Sequence, residues 1–454
     1  IINSKSDINY EDLVISRNYV LLFTSYYDRN LGFKILTTQT YDISTNSLSE
    51  PERIDEVLST SKAEFNPFQI TCSRYGSYIL IYHNNPSQTG NRVFNMKVIS
   101  EDFTSMWEKE IELNYKERMV NYVDLILNNN TTVYLLTSIN PYGIDRSSGF
   151  GNLLNLKNTL FTYNPYQDKL REFEFALTKN WINSVIMDVD INQNLVASAF
   201  YTYPNDYKIR GLIQFKIDGE TGEVLMKKMT ALDKEQYKSI ERSIDKLKDY
   251  SRLSLGATGI YPGSSGHMNN TSTEFVLKDI HSTSSSDVVV VEALRRDERC
   301  TESFNEQQMI VNCEKHYLYG NIILFFMDLD GSVRRIETIE KMQHSIDRPN
   351  PYFSFKSYCS DNKLLICYND DYQNFPESGE TSDSKKNALT KLSRAKINVL
   401  AYSAVGSPAP LSLNRGDETG VLYFPTQTQW LTPSELLLYS QKEKNYKFGT
   451  LLIR

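Results

Sequence analysis

Apolar and polar residues alternate along most of the chain in runs of strand length, and turn residues separate the runs. Two of the separating turns contain Asp-Gly, at Asp218-Gly219 and Asp330-Gly331, which supplies the positive φ angles of tight hairpins. From the alternation and the turn residues, five segments are predicted to form β-hairpins: 40–49, 97–111, 161–175, 215–227 and 326–336.

Most of these hairpins follow another pair of strand-like runs, so the repeating unit is about four strands, recurring every 50 to 75 residues or so. This period is typical of β-propeller blades with long loops, and we expect an all-β protein with one propeller domain over 1–454. The pattern predicts about seven blades, with six or eight as alternatives. The tail supplies three strands after residue 420, and the N-terminal segment is expected to supply the fourth.

One interval departs from the repeat, an insertion at 231–272. Within 231–250, Ile240, Ile244 and Leu247 are spaced by three or four residues, which predicts a short amphipathic helix. The Gly, Ser and Asn residues of 256–272 indicate an exposed loop.

Composition supports a folded β-rich chain. Aromatic residues make up 12% of the 454 residues, with 30 Tyr and 21 Phe against 3 Trp, and such side chains suit half-buried pleated sheet. The formal net charge of −7 and the lack of a long basic block argue against nucleic-acid binding. No apolar run is long enough for a membrane-spanning helix.

Cys300 and Cys313 flank a polar stretch between two strand-like runs. A disulfide that closes this loop in an oxidising compartment is one interpretation, and free thiols at strand ends are the other. Cys359 and Cys367 lie on two arms of a predicted hairpin, in a register that does not bring them together.

No GxSxG turn, phosphate-binding glycine loop or HExxH motif occurs, so the sequence predicts no catalytic residue and no cofactor. Asp188, Asp190, Asn192 and Asn194 have the spacing that opens a calcium loop, but Gln193 replaces the required glycine. A turn closed by the Asp side chain explains them better. The five histidines form no zinc-site spacing, and we predict no metal site.

Several strings of residues together resemble a family of exported, uncharacterised β-propeller proteins of the Bacteroidota phylum. They lie at 107–113, 132–137, 160–170, 190–201, 210–224, 319–331 and 365–371. The resemblance implies a propeller fold, export to the periplasm or outside the cell, and no catalytic residues. A narrower similarity is to the periplasmic plug of the type 9 secretion translocon, which implies an outer-membrane barrel or secretion complex as the protein partner.

Because the chain begins at Ile1 instead of Met, we expect a signal peptide to have been removed. The first hypothesis is a non-enzymatic interaction protein, in which the propeller is a rigid platform or stopper that binds through the insertion. The alternative is a carbohydrate-binding or carbohydrate-active propeller, with clustered carboxylates and aromatic rings. The predicted partner-binding residues of the insertion are Tyr250, Tyr261, Pro262, His267 and Met268.

Overall fold

The structure is a computed structural model, and it describes most of the chain. The described ranges are 8–15, 19–42, 45–58, 67–74, 76–85, 88–140, 157–177, 179–203, 208–254, 271–305, 308–360, 363–374, 387–403, 409–415, 422–425, 429–432, 435–442 and 445–452.

The described strands pair, mostly with their neighbours in sequence, to form seven antiparallel sheets of four or five described strands each. The strands of the first three sheets are β1 (Ile8–Ile15), β2 (Tyr19–Asp28), β3 (Phe33–Asp42), β4 (Ser47–Leu48) and β5 (Glu52–Leu58); β6 (Gln69–Cys72), β7 (Tyr78–Asn85), β8 (Asn91–Ser100) and β9 (Ser105–Lys116); and β10 (Val120–Leu127), β11 (Val133–Ile139), β12 (Lys157–Asn164) and β13 (Lys169–Glu174).

The fourth sheet precedes a single long helix, and three further sheets follow that helix. These elements are β14 (Trp181–Val189), β15 (Leu195–Thr202), β16 (Gly211–Ile217) and β17 (Val224–Ala231); α1 (Lys234–Ser254); β18 (Thr271–Ser282), β19 (Asp287–Asn305), β20 (Gln308–Met327), β21 (Val333–Ile339) and β22 (Gln343–Ile346); β23 (Phe355–Ser360), β24 (Lys363–Asp371), β25 (Ala395–Ser403) and β26 (Ala409–Arg415); and β27 (Leu422–Tyr423), β28 (Gln429–Thr432), β29 (Glu435–Lys442) and β30 (Asn445–Leu452).

The predicted fold class is confirmed: the chain is an all-β protein of the β-propeller class, and its described residues form seven blade-like sheets and one helical insertion. All five predicted hairpins are present. The helix begins at Lys234 and ends at Ser254, so it covers most of the predicted 231–250 segment and extends beyond it.

The predicted fourth strand of the last sheet was wrong. Strands β1 to β5 form a sheet of their own, and the described strands of the last sheet are β27 to β30. The strand that the sequence analysis did not count is β28, because it has only four residues and its alternation is too short to recognise.

The chain divides into two compact units. The first contains the three sheets before residue 197, the second contains the three sheets after residue 227, and the fourth sheet contributes residues to both. In the first unit Phe94, Leu113, Leu135 and Phe161 belong to one buried cluster. In the second unit the fifth and sixth sheets form another, with Val290, Leu324 and Ile366 among its members. Alternate residues of the central strands build both cores.

The first strands of four sheets share a local feature that the sequence analysis missed. In each, an aspartate Oδ1 accepts a hydrogen bond from the N–H of the next residue, at 2.7 to 3.1 Å. Where the register is described, the strand bulges immediately before this aspartate. The aspartates are Asp12, Asp124, Asp188 and Asp279.

Gly211 begins β16 at a close approach to β17. A Cβ atom at Gly211 would lie 2.2 Å from the backbone oxygen of Thr230, and the Tyr201 ring is also within 3 Å. We therefore expect Gly211→Ala to lower the free energy of unfolding by about 1 to 3 kcal/mol through overpacking. Gly449→Ala is the control, since no atom lies within 4 Å of its Cβ position. Chemical denaturation measures both; equal stability of the two variants would contradict the expectation.

Candidate functional site

The fifth sheet carries the longest strands in the described part of the chain, β19 and β20, with 19 and 20 residues. They pair from Asp287 opposite Met327 to Asn305 opposite Gln308, with one irregularity between Glu292 and Leu294. On one side, β18 pairs with β19 only as far as Asp297, and on the other, β22 pairs with β20 only as far as His316. In the described ranges, residues 298–305 and 308–315 therefore form a two-stranded ribbon, which we call the β-ribbon.

A disulfide joins the two strands of the β-ribbon. Cys300 and Cys313 lie directly opposite each other, with their Cα atoms 4.0 Å apart. Oppositely charged residues are also cross-strand neighbours, with Glu298 opposite Lys315. The disulfide across the strands stabilises an element that no described strand flanks on either side.

Two apolar residues of the β-ribbon are exposed to solvent. Ile310 is 42% exposed and Val311 is 47% exposed, and they follow one another in β20, so their side chains lie on opposite faces. Each face of the β-ribbon therefore offers one exposed apolar side chain for contact with another molecule.

A buried network of charged and polar side chains lies within the fifth sheet, on the part of β19 that precedes the β-ribbon. Glu292 of β19 is fully buried, and its two carboxylate oxygens accept from Lys341 Nζ at 2.7 Å and from Ser354 Oγ at 2.7 Å. Lys278 Nζ lies 3.0 Å from the same carboxylate and is partly exposed. Burial alone raises the pKa of Glu292, but these two lysines and the hydrogen bonds outweigh it, so its pKa lies below the ordinary value.

Gln343 extends this network to the sixth sheet. Its Oε1 accepts from Lys341 Nζ at 3.0 Å and from the Ser354 N–H at 2.7 Å, and its Nε2 donates to the carbonyl oxygen of Asn369 at 2.6 Å. Both oxygens of Glu292 and both polar atoms of Gln343 are occupied. The network therefore holds β19, β22 and the start of the sixth sheet in one arrangement.

Helix α1 packs against the same strands. Leu247 is fully buried with Ala293 and Leu318, and a Cβ atom at Gly320 would lie 2.9 Å from the Leu247 side chain. Asn321 Nδ2 donates to Ser243 Oγ at 3.1 Å. The helix is thus part of the second unit's core, and only glycine at 320 permits its close approach.

The hydroxyl of Ser251, near the end of α1, donates a hydrogen bond to the carboxylate of Asp297, which directly precedes the β-ribbon. Both residues are buried. We expect Ser251→Ala to lower the free energy of unfolding by about 1 to 2 kcal/mol, since the buried Asp297 Oδ2 loses one of its two donors and keeps Arg295 Nε. Thermal denaturation of this variant beside Ser239→Ala, a half-buried serine of the same helix whose hydroxyl lies 3.4 Å from the Thr338 hydroxyl, measures the difference. Equal midpoints would show that the contact does not stabilise α1.

Of the predicted partner-binding residues, only Tyr250 lies in the described part of the chain. Its ring is partly buried and meets the ring of His344 edge to face, with centroids 5.9 Å apart. His344 Nε2 in turn lies 3.1 Å from His316 Nδ1. Tyr250 therefore contributes mainly to the packing of α1. The other predicted residues, Tyr261, Pro262, His267 and Met268, lie outside the described residues.

The aspartate-closed turn at Asp190 is present. Asp190 Oδ1 accepts from the N–H groups of Asn192 and Asn194 at 2.9 and 2.8 Å, and Gln193 has a left-handed φ of 66°. Asp190 Oδ2 lies 2.6 Å from Lys216 Nζ. The side chains use their oxygens within the turn and with a lysine, which agrees with the turn interpretation.

Sequence reasoning did not identify the β-ribbon or the Glu292 network. A signal for the first is present, since residues 287–327 contain no Gly or Pro before Gly320 and so permit two very long strands. For the second, Glu292 interrupts the apolar run Val288–Leu294, where a charge must be paired.

Comparisons with known proteins give structural similarity at low identity. Over 98% of this chain and 92% of the other, the structure is similar to the β-propeller domain of the trilobed protease from Pyrococcus furiosus, with 9% identity and a TM-score of 0.42. Over 99% and 96%, it is similar to an ulvan lyase from a new family of polysaccharide lyases, with 10% identity and a TM-score of 0.34. Neither the protein-family models nor the curated proteins give a match.

The described ranges contain neither a metal-binding cluster nor a helix that could cross a membrane. No group of three or more His, Cys, Asp or Glu side chains there is arranged to hold a metal ion. No described helix has the length and apolar character needed to cross a membrane.

Proposed function

We propose that the chain is a non-enzymatic interaction protein that binds a protein partner through the β-ribbon of its fifth sheet. The observation that carries the proposal is the combination of a disulfide between Cys300 and Cys313 with exposed Ile310 and Val311 on a ribbon that extends past its neighbouring strands. A ribbon held in one conformation before binding loses little entropy when it docks.

The disulfide also supports export, because such bonds persist in oxidising compartments such as the periplasm or the cell exterior. In the finer proposal, the protein docks on an outer-membrane barrel or secretion complex, as a plug of the type 9 secretion translocon does. The β-ribbon is then the contact, and the blades are the rigid platform behind it.

A pull-down from solubilised cell envelope of the source organism tests this proposal. The charged double variant Ile310→Glu, Val311→Glu is compared with the wild type, and Val224→Glu, Leu225→Glu is the matched control at another exposed apolar pair. We expect the β-ribbon variant to recover at least tenfold less of the enriched partner, and the control to recover as much as the wild type. Equal recovery by both variants would exclude the β-ribbon as the contact, and no enriched protein at all would contradict the interaction role.

A second candidate function is glycan binding in the first unit, and one repeated string favours it. The first strands β1 and β10 both contain Asn-Tyr-x-Asp-Leu, and the tyrosines of these strings, Tyr10 and Tyr122, are 58% and 43% exposed. Exposed aromatic rings beside half-buried carboxylates suit sugar recognition by stacking and hydrogen bonding. A glycan array tests it: binding that Tyr10→Ala and Tyr122→Ala abolish supports this candidate, and an array without a hit removes it.

A further inference from the structure

The β-ribbon has an edge that the described strands leave unpaired, on the side of β20 that faces away from β19. Closer to the sheet, β22 occupies this same edge, with His316 opposite Ile346 and Tyr319 opposite Gln343. The chain leaves the edge at Asp347, which has a left-handed φ of 67°. Between residues 308 and 315, no described strand continues the line of β22.

Two independent observations show which backbone groups point to this edge. The N–H of Asp347 donates to the carbonyl oxygen of Lys315 at 2.6 Å, so Lys315 directs its backbone groups towards the β22 side. Cys300 and Cys313 have Cα atoms only 4.0 Å apart, the close spacing of a pair that does not exchange hydrogen bonds. Cys313 therefore also points its N–H and carbonyl away from β19.

Strand backbones alternate with a period of two, so the outward set continues through Val311 to Met309. Each of these residues presents one donor and one acceptor. Val311 adds an exposed apolar side chain in the middle of the edge. This arrangement is what an incoming extended segment needs: a row of backbone groups for affinity and one apolar contact for specificity.

We propose that an extended segment of the partner protein adds to this edge as a further strand, pairing with the backbone of Met309, Val311 and Cys313. The inference rests on the proposed function, and it names the partner chemistry: a β-strand with an apolar residue opposite Val311. The added strand would continue the line of β22, which pairs with the same edge of β20 closer to the sheet. The disulfide keeps that edge straight and preformed.

Proline at position 311 tests strand addition directly. Because the Val311 N–H points outward, Val311→Pro removes a donor for the incoming strand and leaves the hydrogen bonds between β19 and β20 in place. Val311→Thr is the matched control, since it keeps the N–H and the branched side chain. Circular dichroism and the mass of the oxidised protein verify that both variants fold and form the disulfide.

The probe is a fluorescent peptide, acetyl-Lys-Thr-Val-Thr-Val-Thr-Lys-amide, which presents alternate valines along a short strand. By anisotropy, we expect Val311→Pro to bind it at least tenfold more weakly than the wild type, and Val311→Thr within about threefold of the wild type. Equal binding by Val311→Pro, or no wild-type binding up to about 1 mM peptide, would overturn strand addition.

The envelope pull-down separates this failure from failure of the proposed function. If the charged double variant loses the partner while Val311→Pro retains it, the β-ribbon is the contact but strand addition is wrong. If the charged double variant keeps the partner, the proposed function itself fails. Sedimentation tests whether the wild type self-associates. Self-association that Val311→Pro abolishes would show that the added strand comes from a second copy of this chain, and it would overturn the inference.

Discussion

Replacing Glu292 by Gln is expected to lower the free energy of unfolding by about 3 to 5 kcal/mol, the cost of leaving a buried charge without its partner. Lys341 is fully buried and lies 2.7 Å from the Glu292 carboxylate. In the variant, the Lys341 ammonium keeps its burial and loses its counter-ion. Urea denaturation measures the change, with Glu223→Gln at an exposed turn as the control.

The double variant Glu292→Leu, Lys341→Met is expected to be more stable than Glu292→Gln, since it removes both charges together. Lys278 remains, but its side chain is partly exposed and reaches water. If the double variant is less stable than Glu292→Gln, the hydrogen bonds to Ser354 and Gln343 contribute more than the charge pair.

The pH dependence of this effect follows from the lowered pKa of Glu292. The ionised Glu292 carboxylate is more stable in the folded protein than in the unfolded chain. The free energy that it contributes to folding is therefore fully present above the unfolded pKa of about 4.3. As the pH falls through the lower folded pKa, that stabilisation is lost. The stability difference between the wild type and Glu292→Gln is therefore expected to narrow below about pH 4 and to stay constant between about pH 6 and 8. A constant difference down to pH 2 would contradict this.

Removing the disulfide is expected to loosen the β-ribbon without unfolding the blades. The bond closes a loop between residues 13 positions apart, for which loop-closure entropy gives about 3 kcal/mol. In Cys300→Ser, Cys313→Ser, we expect amide exchange in residues 308–315 to accelerate about a hundredfold. The same variant is expected to recover less partner, because the β-ribbon then loses conformational entropy when it binds.

Hydrogen–deuterium exchange with mass spectrometry measures this effect, and the hairpin of β16 and β17 is the internal control. Exchange in that hairpin is expected to stay unchanged. Unchanged exchange in residues 308–315 would mean that cross-strand pairing alone holds the β-ribbon together.

The sheets were predictable because each hairpin carries its own local signals. Asp218-Gly219 and Asp330-Gly331 stand between alternating arms, and the helix shows Ile240, Ile244 and Leu247 at helical spacing. The four-residue strand β28 gives no such signal, which is why the last sheet was assigned a strand from the N-terminal segment.

The candidate site was less predictable because it depends on which strands and which side chains pair with one another. Alternation in 287–327 predicts strands, but where β18 and β22 end depends on register and turns, such as the left-handed Asp347. Likewise, Glu292 and Lys341 are 49 positions apart in the sequence, so nothing local marks them as a pair. The Cys300 and Cys313 spacing indicated the disulfide that the structure contains, although the insertion at 231–272 was favoured as the contact.

An exchange footprint on the bound protein tests the central claim most directly. The intact protein is incubated with envelope membranes of the source organism, and amide exchange is compared with that of the unbound protein. Binding through the β-ribbon predicts new protection concentrated in residues 308–315, while β16 and β17 stay unchanged. Protection that falls elsewhere and leaves residues 308–315 as fast as in the unbound protein would contradict it.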